Sequence, residues 1–350
     1  MRLRPTRRHV LAGLAGASLA APYIGRARAA DDFISVNSWG GTWLEAARKN
    51  LFDPFTKATG IRVETVSPVS YAKLVAQART KTYDFDVTTL GDPALFQAHQ
   101  AGVLEPIAGS AFDQSKVPTG NVQYDSVASH VFSFNVVYRN DINPGGPGPQ
   151  NWAELWDVKR FPGMRTLPAY SSETIILALL ADGVTQANLY PLDLDRAFAS
   201  LDRIKPHVRV FWQSGANARQ LIKDKEVAAG GLWASDGRTL GDEGAPITLV
   251  RNQALLERAF WVVSKGTPRA ENAWKFIQFA TSPEPMAGFC RDARMGPMDE
   301  RAFKFIDRKD AALMPTYPEH MKTAVYWQDI ADVGSRLTEM TKRFDRWVAG

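Results

Sequence analysis

Two hydrophobic periods alternate along this chain of 350 residues. Residues 33–38 (FISVNS) alternate with period two, whereas residues 43–58 carry apolar positions at the three- and four-residue spacing of a helix that ends before Gly60. Residues 61–66 again have period two. A strand, a helix and a second strand in this order are the building block of a parallel sheet. The opening of the chain therefore predicts an α/β fold.

The same alternation continues toward the C-terminus. Strands are predicted at 84–90, 127–138, 207–212, 226–233 and 247–263, and helices at 71–81, 93–101, 152–156, 175–181, 194–204, 216–223, 271–280 and 333–348. The long runs 127–138 and 247–263 are each predicted as one unbroken strand. A loop rich in proline and glycine at 141–150 marks a boundary after the first of them. Beyond residue 280 the pattern predicts helices and no strand.

The first 29 residues differ from the rest in charge. They contain six arginines and no acid, and residues 10–21 are apolar and mostly small. Together with the small residues of Ala27-Arg28-Ala29, this predicts an export signal that is cleaved near Ala29. The pair Arg7-Arg8 resembles a twin-arginine signal, and ordinary secretory export is the alternative.

Removal of this segment changes what the charge implies. Taking six positive charges from a net charge of +5 leaves −1, so the remaining chain has no electrostatic footprint for nucleic acid. No later stretch is apolar for long enough to cross a bilayer. The sequence therefore predicts a periplasmic protein without a nucleic-acid partner.

The residues that metal sites and nucleophilic enzymes require are scarce. Cys290 is the only cysteine, which excludes an intramolecular disulfide and a thiolate cluster, and the five histidines lie far apart. No GxSxG, HExxH, P-loop or GxGxxG motif is present. Acid pairs such as Asp84 and Asp86 are better explained as caps or surface groups than as a general acid and base. We therefore predict no catalytic residue, no metal and no cofactor; an exported cofactor-containing enzyme is the remote alternative.

Aromatic residues follow predicted strands at the positions where α/β sheets bind ligands. Trp39 lies between Ser38 and Gly40 after the first strand, and Trp233 ends a later strand. An indole can stack on a ligand and donate its N–H. Both tryptophans are therefore candidate ligand contacts, whereas Trp261, inside a strand, is predicted to lie in the core.

A series of segments carries a family resemblance through its order and spacing. They are Ser38–Gly41, Phe52–Val63, Tyr83–Val87, Ala101–Ile107, Asn151–Asp157, Gly231–Trp233 and Pro268–Ile277. With them the mature chain resembles the extracellular solute-binding family of ABC importers, which includes spermidine/putrescine-binding proteins.

This resemblance implies a type II-like fold of two α/β lobes, with mixed sheets flanked by helices, joined by a hinge of two crossing strands that the runs 127–138 and 247–263 match. The implied domains are a signal peptide at 1–29, a discontinuous lobe one at 30–132 and 258–314, lobe two at 133–257, and a C-terminal helical segment at 315–350 that packs on or across the lobes. The implied function is capture of a small polar solute by lobe closure and delivery to a permease in the inner membrane. A monomer is the family default, and a sensor component with the same fold is an alternative.

Ligand positions also carry over from the resemblance. Trp39 matches the aromatic residue that polyamine binders place after their first strand, and aromatic faces attract ammonium groups. The carboxylates of Asp92, Glu173 and Asp236 would replace the water around an amine. The implied ligand-binding residues are Ser38, Trp39, Gly40, Thr89, Gly91, Asp92, Tyr170, Ser171, Glu173, Trp233, Asp236 and Gln328.

Two departures from the polyamine binders leave the solute class open. Gly41 stands where those proteins have an acid after the first aromatic residue, and Ala259 stands where they have an aspartate in the hinge strand. Fewer acids imply a less cationic ligand. A polyamine or related amine remains the favoured solute; a zwitterion whose carboxylate pairs with Arg219, Arg258 or Arg294 is the main alternative, and a sugar, metal chelate or vitamin is a third.

Overall fold

The computed structural model describes residues 32–141, 146–326 and 329–350, so the predicted export signal and Gln328 lie outside the described residues. The strands are β1 Phe33–Asn37, β2 Arg62–Val66, β3 Val87–Gly91, β4 Val122–Gln123, β5 Ser126–Arg139, β6 Arg165–Pro168, β7 Val208–Trp212, β8 Ala229–Trp233, β9 Ile247–Leu249, β10 Leu255–Val263, β11 Gly296–Pro297 and β12 Val325–Tyr326. The helices are α1 Gly41–Ala47, α2 Asp53–Thr59, α3 Tyr71–Thr80, α4 Asp92–Gln100, α5 Trp152–Trp156, α6 Ser171–Ala181, α7 Leu194–Ile204, α8 Gly215–Lys223, α9 Ala234–Asp242, α10 Ala270–Ala280, α11 Pro283–Asp292, α12 Arg308–Ala311, α13 Pro318–Met321 and α14 Ile330–Ala349.

Local sequence signals explain where several helices begin and end. The Ser70 hydroxyl accepts the backbone N–H of Lys73 at the start of α3, and the Asp193 carboxylate caps α7 in the same way. At the end of α2, Gly60 adopts a left-handed conformation with φ of 80°, which a glycine enters without steric cost. These signals account for the agreement between the predicted and observed helix ends.

The strands form one mixed sheet in the order β2-β1-β3-β10-β5-β8-β6-β7. Strands β2, β1 and β3 are parallel at one end of the sheet, and β8, β6 and β7 are parallel at the other. The two longest strands, β5 and β10, lie side by side and antiparallel in the middle, with Leu255 opposite Phe134 and Val262 opposite Ser126. The predicted α/β class is thus confirmed, with the two long strands as its central pair.

Separate hydrophobic cores cover the two ends of this sheet. The first core includes Trp43, Trp261 and Cys290, all buried, which confirms the predicted core position of Trp261. The second core includes Trp152 and Trp212 and lies around β6 to β8. Strands β5 and β10 pass from one core to the other, so the residues at their middle lie between the two.

The long helix α14 connects elements from both ends of the sheet. It packs against α4 and against α6, and its Val333 and Phe344 belong to the second core. Gly334 lies so close to the Phe96 ring that a Cβ there would overlap it. No helix among the described ranges is long and apolar enough to cross a membrane.

The predicted strand pattern lacks β4 and β6, and two of its further details are wrong. The run 247–263 is interrupted between β9 and β10, where Gln253 has a left-handed φ of 55° that a continuous strand cannot accommodate. Beyond residue 280 the chain contains the two-residue strands β11 and β12, which pair with β5 and β10 respectively. Such short strands depend on a long neighbour for their hydrogen bonds and leave no periodic signal in their own sequence.

Candidate functional site

The predicted ligand residues within the described ranges lie where strands end and helices begin. Three of the acids occupy the first turn of a helix: Asp92 in α4, Glu173 in α6 and Asp236 in α9. The positive end of each helix dipole favours a carboxylate at such a position. The sequence therefore places each of these acids at the start of a helix.

Among the predicted ligand residues that the structure describes, Trp39 is the most exposed. Its side chain is 57% exposed, and its Nε1 donates a hydrogen bond to Oγ1 of the buried Thr89 over 2.9 Å. This bond fixes the orientation of the indole while its face remains open to solvent. Ser38 lies beneath it with its hydroxyl 2.7 Å from that of Ser67, and Gly40 has a φ of 77° that allows the turn into α1. An oriented, exposed indole is suited to stacking on a ligand.

Asp92 is buried at the end of β3 and is paired with Arg258 of β10. The guanidinium Nε and Nη2 lie 3.0 and 2.6 Å from Oδ1, and the Arg258 backbone N–H donates to Oδ2. Burial raises the pKa of Asp92, and Arg258 opposes that rise. Gly91 pairs with Ala259 one residue away. Asp92 is therefore neutralised within the protein, and Arg258 is occupied by it.

Aromatic rings form a second group at the ends of β6 and β8. Tyr170 stacks on Trp233 with ring centres 5.7 Å apart, and both pack against Phe134 of β5. The Tyr170 hydroxyl donates to the backbone oxygen of Gln213 over 3.1 Å. Nε1 of Trp233 is buried and has no hydrogen-bond partner in the described part of the chain. Ser171 next to them shares a hydrogen bond with Thr341 of α14, so its hydroxyl is directed to that helix.

Asp236 is paired with Arg219 of α8 and lies against the first residue of that helix. A Cβ at Gly215 would overlap the Asp236 carboxylate, so the close approach requires glycine. Burial raises the pKa of Asp236 and Arg219 opposes the rise. Its Oδ2 is buried without a partner among the residues described.

A residue absent from the predicted set, Glu257, lies at the centre of the region. It sits opposite Phe132 in the middle of the β5–β10 pair and is only 3% exposed. Burial raises its pKa well above the usual value, and the nearby carboxylates of Glu173 and Asp92 raise it further. Its Oε1 has no hydrogen-bond partner within residues 32–141, 146–326 and 329–350.

The buried carboxylates of the site shift the pKa values of the same tyrosines, so they share one electrostatic environment. Burial raises the pKa of Tyr170 to about 12, with added contributions from Glu173, Glu257 and Asp236. Burial raises the pKa of Tyr190, and the carboxylates of Asp92, Asp332 and Glu257 add to the rise. Burial also raises the pKa of Glu173, although a hydrogen bond from Ser172 opposes it.

Two of these acids, Glu173 and Glu257, form no ion pair in the part of the chain that the structure describes. A pair of close carboxylates without a cation of its own is suited to bind a cationic group. A cavity of about 220 Å³ lies elsewhere, beside α6, where Gly183, Asp193 and Arg196 line it; none of the predicted ligand residues does.

The described residues contain no group of three or more histidine, cysteine or acidic side chains placed to hold a metal ion. Cys290 lies in the first core, and its burial raises the pKa of the thiol. The chemistry of the region is thus that of acids, arginines and aromatic rings.

A family model agrees with this geometry. The model described as bacterial extracellular solute-binding protein matches residues 50–316. The chain belongs to this family. It is the substrate-binding component of an ABC transporter, with the two-lobed α/β fold of such proteins, and it is not an enzyme.

Individual relatives extend the similarity to nearly the whole chain. A gamma-aminobutyric acid-binding protein of Pseudomonas aeruginosa is 29% identical, over 97% of each chain. The spermidine/putrescine-binding periplasmic protein 1 of Haemophilus influenzae is 27% identical, over 85% of this chain and 84% of its own. The crystal structure of an ABC transporter substrate-binding protein from Bradyrhizobium japonicum superposes with a TM-score of 0.84 at 30% identity, over 91% of this chain and 99% of that one.

Proposed function

We propose that the transported solute is a short molecule with a single ammonium group, γ-aminobutyric acid (GABA) or a close analogue. The observation that carries this proposal is the pair Glu173 and Glu257, two acids without a cationic partner in the described ranges. The stacked rings of Tyr170 and Trp233 lie beside them and offer aromatic faces to an ammonium group.

The charge of the site supports one ammonium group rather than several. Asp92 and Asp236 are each neutralised by an arginine, which leaves Glu173 and Glu257 to interact with the solute. Burial and the nearby carboxylates of Glu173 and Asp92 raise the pKa of Glu257, so these acids do not ionise independently. A single ammonium group placed between Glu173 and Glu257 would satisfy both, whereas a second one would meet only carboxylates that an arginine already pairs. The zwitterionic alternative is therefore favoured over the polyamine that the sequence favoured, and the GABA-binding relative supports the same choice.

The solute is held between two lobes with the boundaries expected from the sequence, residues 30–132 with 258–314 and residues 133–257. The two separate cores support this division, because β5 and β10 pass between them. Trp39, Thr89 and Asp92 belong to lobe one, whereas Tyr170, Glu173 and Trp233 belong to lobe two. A solute bound by both groups stabilises the closed arrangement, which is a shift of population without a chemical step.

Export and delivery complete the proposed function. Residues 1–29 are a twin-arginine type signal cleaved near Ala29, the mature monomer works in the periplasm, and an inner-membrane permease takes the solute from the closed form. The polyamine-binding relative described as periplasmic supports this location.

A matched set of four-carbon molecules tests the solute class. Thermal unfolding of the mature protein is followed with GABA, putrescine, 4-aminobutan-1-ol and butyrate, which differ only in their end groups. A ligand that binds the folded state alone raises the melting temperature by mass action. We expect the largest rise with GABA and none with butyrate. A larger rise with putrescine would make the protein a polyamine binder, and no rise with any amine would contradict the proposal.

A further inference from the structure

Three arginines converge where α9 meets the β9–β10 and α11–β11 connections. Arg294 donates from Nη1 to Thr239 Oγ1 over 2.9 Å, and its Nη2 lies 2.8 Å from the Asp242 carboxylate. Arg238 precedes Asp242 by four residues, so both project from the same face of α9. Arg251 donates from Nη2 to the backbone oxygen of Leu313 over 2.9 Å. The three guanidinium groups therefore occupy one region between α9 and α12.

Two N–H groups of this arginine cluster, defined as Arg238, Arg251 and Arg294, are buried without an acceptor. They are Nη1 of Arg238 and Nη1 of Arg251, and neither has a partner in the described stretches of the chain. A guanidinium does not lose its proton at neutral pH, so it cannot avoid the cost of burial by becoming neutral. A buried donor of this kind costs free energy until it finds an acceptor.

The arginine cluster is also short of negative charge. The nearby carboxylates are Asp242, whose side chain is 63% exposed, and Asp310 of α12. Burial lowers the pKa of Arg251 to about 10, and Arg238 beside it adds to the effect. Arg258 and Arg219 differ from the cluster, because each of them is paired with a buried aspartate.

We propose that the arginine cluster is an anion subsite that takes a carboxylate group. The planar guanidinium fork matches a carboxylate, which could accept both unpartnered N–H groups. Arg238 and Asp236 both belong to α9, but two residues apart they project from different faces of the helix, so the subsite is separate from the Asp236–Arg219 pair. The favoured source is the carboxylate of the solute itself, which rests on the function proposed above; a separate small carboxylate is the other source.

In the proposed lobes the subsite spans the cleft. Arg238 and Arg251 belong to lobe two, whereas Arg294 belongs to lobe one. A carboxylate held by all three would add to closure, while Glu173 and Glu257 hold the ammonium group. The two ends of a zwitterion would then be recognised by different sets of residues. Substitutions in one set would therefore test recognition of one end of the solute without changing the other.

The test compares two ligands that differ at one end. Affinities for GABA and for 4-aminobutan-1-ol, which lacks the carboxylate, are measured by calorimetry for wild type, Arg238→Gln and Arg251→Gln. Arg209→Gln is the matched control, because Arg209 is an exposed arginine of lobe two. Each cluster variant is expected to weaken GABA binding by about 10- to 150-fold, the value of one charge-assisted hydrogen bond. Binding of 4-aminobutan-1-ol should change less than about threefold, and the control should change neither.

A second arm separates the two sources of carboxylate. Acetate alone is titrated against thermal unfolding of wild type and Arg238→Gln. If acetate competes with GABA, the carboxylate in the subsite is that of the solute. If acetate and GABA together stabilise the protein more than either does alone, the subsite takes a separate anion. Both results support the subsite. Two results together would overturn the subsite. Both cluster variants would keep the wild-type preference for GABA over 4-aminobutan-1-ol, and acetate would change the melting temperatures of wild type and Arg238→Gln equally. Failure of the proposed function is distinct, because it appears as no binding of either amine by wild type.

Discussion

Replacement of Glu257 by glutamine should affect ligand binding and stability in opposite directions. The side chain is nearly isosteric, so the packing of β10 against Phe132 is preserved while the buried charge is removed. Burial raises the pKa of Glu257, so the folded state keeps its proton to higher pH than the unfolded chain. The stability that this group contributes is therefore greatest at low pH and falls as the pH rises through the folded-state pKa.

The size of the binding effect follows from one charge-assisted contact. Such a hydrogen bond contributes about 1.5–3 kcal/mol, which corresponds to a loss of affinity of about 10- to 150-fold. Without ligand, the Glu257→Gln protein should be at least as stable as wild type at neutral pH, and its advantage should grow as the pH rises. With saturating GABA the order should reverse, because only wild type gains stability from the ligand.

Calorimetry and thermal unfolding, each with and without GABA, measure both effects. Glu226→Gln is the matched control, because Glu226 is an exposed glutamate of the same lobe with only a long contact to Arg209. A Glu257→Gln protein that unfolds more easily without ligand and binds GABA as tightly as wild type would refute the reasoning. Glu257 would then be a structural residue.

Three further results are expected. Trp39→Ala should weaken GABA binding by about 2- to 30-fold. Because the indole is largely exposed, the free energy of unfolding should stay within about 0.5 kcal/mol of the wild-type value. A variant that no longer folds, as measured by urea unfolding, would instead make Trp39 a core residue. Gly215→Ala should cost about 1–3 kcal/mol by forcing the Asp236 carboxylate away from α8, and a neutral effect in urea unfolding would argue against that close contact. GABA affinity should fall as the pH is lowered, since the raised pKa values of Glu173 and Glu257 let both acids take up protons at a higher pH than exposed glutamates do; an affinity independent of pH would exclude them as partners of the ammonium group.

Most of the fold is visible in local patterns. The βαβ order, the long strands β5 and β10, and the ends of helices with capping residues depend on near neighbours in sequence, which the pattern records. The short strands β11 and β12 were missed because their hydrogen bonds come from β5 and β10. The break at Gln253 was missed because a left-handed conformation of a non-glycine residue has no clear sequence signal.

The candidate site was harder to predict than the fold. The glycine-flanked Trp39 and the acids at helix starts were accessible, since strand ends of α/β sheets bind ligands. Glu257 was not predicted, because the resemblance to polyamine binders implied that the hinge-strand position for an acid is the one that Ala259 occupies. The adjacent charges Glu257 and Arg258 inside an apolar strand were the available signal, because buried charges require partners. That Arg258 pairs with Asp92 rather than with Glu257 depends on a contact across 166 residues of sequence.

Native mass spectrometry of the mature protein, isolated from the periplasm without refolding, tests the central claim most directly. We predict one small molecule per chain, with one amine and one carboxylate, that is displaced by added GABA and recovered chemically unchanged. A bound polyamine, a solute without an amine or a chemically altered ligand would contradict the account.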